Sequence, residues 1–129
     1  MRISRMLALA SAVVLIAAMQ SPPDEAVTVE IAIGKTIVDR MPTDTGSAFP
    51  PDVGQLVCWT KVTGAAGTKI THVWSHGPHM ETIELNVGGS PWRTYSRRTV
   101  PAEWTGEWKV EVKDSAGTVL ATKTFTVGQ

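Results

Sequence analysis

Beyond residue 26 the chain alternates apolar and polar positions with a period of two. Val27, Val29, Ile31 and Ile33 alternate with Thr28, Glu30, Ala32 and Gly34, which predicts a half-buried strand, continued by Ile37 and Val38 after a kink at Gly34. Residues 55–62 set Leu56, Cys58 and Thr60 against Val57, Trp59 and Lys61. Residues 69–75 set Ile70, His72 and Trp74 against Thr71, Val73 and Ser75. Residues 81–87 turn Ile83, Leu85 and Val87 inward, residues 92–98 form the next strand, and residues 107–113 alternate Trp108, Val110 and Val112 with charged neighbours. Asp114-Ser115-Ala116-Gly117 reads as a hairpin loop with glycine where φ is positive, and residues 118–127 return. Leu120 and Phe125 stand an odd number apart, which predicts a bulge or bend near residues 121–123. Residues 39–54 lose the period and carry Pro42, Gly46, Pro50, Pro51 and Gly54, a long loop that Phe49 pins to the core. No segment beyond residue 26 shows a 3.6-residue apolar period. Seven or eight short strands separated by turns predict an all-β fold, an immunoglobulin-like antiparallel β-sandwich.

The first residues follow a different logic. Arg2 and Arg5 precede an uncharged apolar run from Met6 to Met19, the layout of a secretory signal helix over residues 1–20. A polar linker, residues 21–26, leads to the sandwich domain, residues 27–129. The apolar run is shorter than the roughly 20 residues of a membrane span. Cleavage is expected near Ala18 to Ser21, which makes the domain periplasmic or secreted. The alternative is a signal retained as an N-terminal anchor, and without it no stable membrane insertion is expected. Setting aside Arg2 and Arg5, the 12 basic residues fall to ten against 12 acidic ones, so nothing suggests a nucleic-acid partner. Cys58 is the one cysteine, so no intrachain disulfide forms, and a buried strand position is its simplest reading.

Candidate chemistry concentrates between residues 69 and 104. Strand alternation puts Arg93, Tyr95 and Arg97 on one face and Trp92 on the other. Burying two unpartnered guanidinium groups costs several kcal/mol, so the arginine row is expected outward and Trp92 in the core. With Trp104 at its rim, and with His72 and Trp74 on whichever face Ile70 occupies, this row is the candidate ligand-binding surface. The opposing reading makes the tryptophans core pins and Arg93 a clamp on Asp39. His72, His76 and His79 are the next suspects. His72 lies roughly 13 Å from His76 along an extended strand at ~3.3 Å per residue, too far to share a metal. His72 is expected half-buried and bonded to backbone, His76 and His79 exposed in their turn, and neither metal nor other cofactor is expected. A Ser96–His72–Asp39 triad is conceivable in space, but no motif selects it, and no enzymatic activity is expected.

Together, Val38-Asp39-Arg40-Met41-Pro42, Phe49, Cys58-Trp59-Thr60, His72-Val73-Trp74, Trp92-Arg93-Thr94-Tyr95-Ser96 and Gly106-Glu107-Trp108-Lys109-Val110 give a resemblance. In this order they resemble the bacterial domain-of-unknown-function family 2914, a short module of exported or membrane-attached proteins, over about residues 29–127. The resemblance implies the small exported β-sandwich and supplies no reaction. The expectation is an exported, noncatalytic binding or accessory module of the bacterial envelope, whose partner is an unidentified protein or glycan. The alternative is a structural or assembly component that pairs through its edge strands, and a metal-dependent or enzymatic role comes third.

Overall fold

A computed structural model describes residues 26–128; the expected signal helix, the linker through Glu25 and Gln129 lie outside the described residues. The strands are β1 (Thr28–Gly34), β2 (Thr36–Val38), β3 (Met41–Thr43), β4 (Ala48–Phe49), β5 (Gly54–Thr63), β6 (Lys69–His76), β7 (His79–Asn86), β8 (Trp92–Val100), β9 (Gly106–Lys113) and β10 (Val119–Val127). Seven are long, at the positions where the alternation predicts them. The three short ones, β2, β3 and β4, lie in and beside the stretch that reads as loop.

One sheet has the order β1-β5-β8 and the other β4-β10-β9-β6-β7, while β2 and β3 form a separate ribbon. Long strands pair antiparallel throughout, and β4 joins β10 in parallel. The chain crosses between sheets after β4, β5, β7 and β8, as strands A′, B, C′ and E do in an immunoglobulin-like sandwich, with β4 in the place of A′ beside G. Inward side chains of both sheets meet in one layer: Ile33, Leu56, Cys58 and Val100 from the first, Trp74, Trp108, Val110, Phe125 and Val127 from the second. Phe49 seats its ring edge-on against Phe125 at 5.9 Å, so it does pin the 39–54 stretch to the core. A neighbouring cluster of Val62, Ile70, Val87 and Val112 closes one end.

Local chemistry explains the connections. Asp114 Oδ1 accepts the amides of Ala116 and Thr118, both at 2.9 Å, and Gly117 takes φ 87°, completing the expected hairpin loop. The register of β9 and β10 shifts between Val119 and Ala121, so the bulge falls at Leu120, just ahead of the expected segment. A Cβ on Gly34 would stand 2.5 Å from the Thr43 carbonyl oxygen, and the kink there lets the β2–β3 ribbon fold back. At the ribbon's tip Asp39 and Arg40 both have positive φ, 52° and 65°, the two-residue turn that matches strand twist. Among the described residues no helix is long and apolar enough to cross a membrane.

Candidate functional site

Outward from β5 and β8 a cationic and aromatic surface assembles by register. Lys61 pairs with Arg93, Trp59 with Tyr95 and Val57 with Arg97, so these six share the face turned away from the core. Arg93, Tyr95 and Arg97 are exposed, as the charge argument expects. The Arg97 guanidinium sits 4.9 Å from the centroid of the Tyr95 ring. Trp59 and Val57 escape water because the β2–β3 ribbon covers them, and the Trp59 indole N–H donates to the Arg40 carbonyl at 2.8 Å. The same turn presents the exposed Arg40 side chain beside β5. A groove of about 510 Å³ results, lined by Arg40, Trp59, Lys61, Trp92, Arg93 and Tyr95 among others.

Charge on this face is unbalanced. Lys61 meets Glu30 at 3.7 Å, but among the described residues Arg40, Arg93 and Arg97 form no ion pair, and the Arg93–Asp39 clamp does not form. Arg40 is a site residue that alternation alone does not reveal. Its signal is the two-residue Asp39-Arg40 spacer between β2 and β3, masked because a turn with two positive φ angles usually carries glycine or asparagine. Holding a bulky residue there costs about 1 kcal/mol or more, strain of the kind that collects at functional surfaces.

Several expectations change. Trp92 is not a core residue. It points inward at the strand's end, is 37% exposed, and lays its ring over Gly88 and Gly89. His72 and Trp74 are fully interior, so they do not reach a surface ligand. Trp104 does not rim the arginine row. Its ring stacks on His79 at 4.0 Å and on His76 at 5.6 Å, while Arg98, which points away from that row, lies 5.4 Å over it. His76, expected exposed, is half-buried. Its Nε2–H donates to the Thr105 carbonyl at 2.7 Å, leaving Nδ1 buried with no hydrogen-bond partner among the described residues. Arg98 binds Glu81 at 3.0 Å, tying β8 to β7. These groups form a staple between the loop ahead of β9 and the β6–β7 hairpin.

The interior holds a polar network in place of the imagined triad. His72 Nδ1 lies 2.7 Å from Ser96 Oγ and Nε2 lies 3.2 Å from Thr60 Oγ1, and the Trp74 indole N–H donates to Ser96 Oγ at 2.9 Å. His72 thus bonds to side chains, not to backbone. Asp39 is at the ribbon's exposed tip and takes no part. Burial pushes His72 down to about 4, so the ring is neutral near pH 7. Burial also pushes the Cys58 thiol far up, which leaves it unreactive. Among the described residues no three of His, Cys, Asp and Glu converge as metal ligands would.

No curated protein matches the chain. Among solved structures, a β-glucosidase from Kluyveromyces marxianus is similar at 12% identity and a TM-score of 0.43, over 81% of this chain and 14% of that one. A β-glucosidase from Listeria innocua in complex with glucose gives 11% identity and a TM-score of 0.40, over 80% and 16%. The chain therefore spans about a sixth or less of those proteins, and likenesses this distant carry no weight for fold or activity. Residues 67–127 match the model of the family described as protein of unknown function (DUF2914), the family that the sequence resembles, so its pattern here runs from the turn before β6 through β10.

Proposed function

We propose that the chain is an exported, noncatalytic binding module of the bacterial envelope, and that it meets an anionic ligand or partner through the outward face of β5 and β8. The observation that carries this reading is the guanidinium set Arg40, Arg93 and Arg97, without an ion pair among the described residues, beside a groove walled by Trp92 and Tyr95. Arginines left without carboxylates and placed beside half-exposed aromatic rings are the elements of a recognition surface. The noncatalytic part rests on Ser96 and His72, whose hydrogen bond lies buried in the core, with Asp39 apart from it at the ribbon's exposed tip.

Cosedimentation with bacterial envelope fractions tests the proposal. The full chain is retained, while Arg93→Ala and Tyr95→Ala are each retained several-fold less at an unchanged unfolding temperature. Equal retention of all three proteins overturns it.

A further inference from the structure

We infer that the occupant of the groove is an extended acidic peptide segment, added as a new strand along the open edge of β8. This rests on the binding role proposed above and names its ligand class. Among the described residues β8 pairs with β5 alone, which makes it the outermost strand of its sheet there. Along such an edge alternate residues turn their N–H and C=O groups away from the sheet, where water or another strand must take them. The groove lies over the outward face beside Trp59 and Lys61 and reaches this edge along the consecutive residues Trp92–Tyr95. Beside it stand Arg93 and Arg97, joined by Lys61 and Arg40, with Glu30 drawn to Lys61.

Charge selects the occupant. A second copy docking β8 against β8 would bring two guanidinium rows to cross-strand distance, and like charges directly opposite destabilise a sheet. A strand with Glu or Asp at every second position sets carboxylates opposite Arg93 and Arg97, because both strands advance ~3.3 Å per residue. An acidic polysaccharide meets the same charges but leaves the backbone edge to water. A peptide satisfies both.

The test titrates the full chain with a blocked peptide of about eight residues alternating Glu with Val or Thr, read by calorimetry and by amide hydrogen exchange. Exchange of the Trp92–Arg97 amides slows on binding. Arg93→Ala and Arg97→Ala each lose about tenfold in affinity, as does the Glu→Gln peptide, whereas Lys109→Ala on β9 does not change it. N-methylation of alternate peptide amides abolishes binding in one of its two registers. If both registers bind like the parent, or if polygalacturonate binds as tightly with no protection of β8, the face holds anions without strand addition. The inference then falls while the binding role stands. Concentration-dependent protection of β8 without peptide makes a second copy the occupant and also overturns it. If neither polymer binds and envelope retention fails as well, both readings fall.

Discussion

His72 gives up its hydration and recovers two hydrogen bonds, with Thr60 and Ser96. An imidazole enclosed this way is stable only while neutral, so its native pKa lies near 4 against an unfolded value near 6.5. Between those values the unfolded chain binds a proton that the native chain does not, and stability therefore falls as pH falls. The contribution is fully present above about pH 6.5 and is lost toward pH 4, on the order of 3 kcal/mol. Urea unfolding at pH 7 and pH 4.5 should show this slope in the native sequence and a flatter one in His72→Leu. At Trp92, one-third exposure and contact with two glycines argue for a cost of about 1–2 kcal/mol in Trp92→Ala, below a full core truncation. Arg93→Ala should stay within about 0.5 kcal/mol. If the ranking inverts in denaturant melts, Arg93 is structural. Alternation placed Arg93 outward and Trp92 on the opposite face, and it left the face of His72 open. It did not tell that Trp92, at a strand end, runs out of core to enter.

Elements show the same division between pattern and context. The β9–β10 hairpin announced itself through Asp114 and Gly117, whose roles are local. The β2–β3 ribbon did not, for Pro42 and Arg40 contradict strand and turn preferences and the ribbon exists by lying over Trp59. Nor did the staple, since Trp104 meets His76, His79 and Arg98 from three separate segments. Stacking of this kind contributes about 0.5–1.5 kcal/mol per aromatic pair beyond area. Trp104→Ala should therefore cost about 2–3 kcal/mol and speed amide exchange in the β6–β7 hairpin before the rest of the domain. Uniform acceleration across both sheets would show that the staple is part of the global core.

For the whole molecule, period-two patterning without any helical period made the sandwich legible, because each sheet must hide one face. The proposed binding face was half legible: the Arg93–Tyr95–Arg97 row follows from alternation, while its depth comes from Arg40, brought in by long-range packing. Electrostatic retention on that face should weaken several-fold when salt rises from about 0.05 to 0.5 M, as the screening length shrinks below the spacing of the charges. A salt-independent interaction would place the contact elsewhere. The parallel seam between β4 and β10 has a mechanical consequence. Thr126 and Gly128 donate to Ser47 and Phe49, at 2.9 and 2.8 Å, across two strands that point the same way. Once β1 has come away from β5, tension along the chain pulls β4 back through its start and β10 forward through its end. The seam is then loaded in shear, its bonds sharing the force instead of opening one after another, so the last strand is the part of this domain best placed to resist being drawn out.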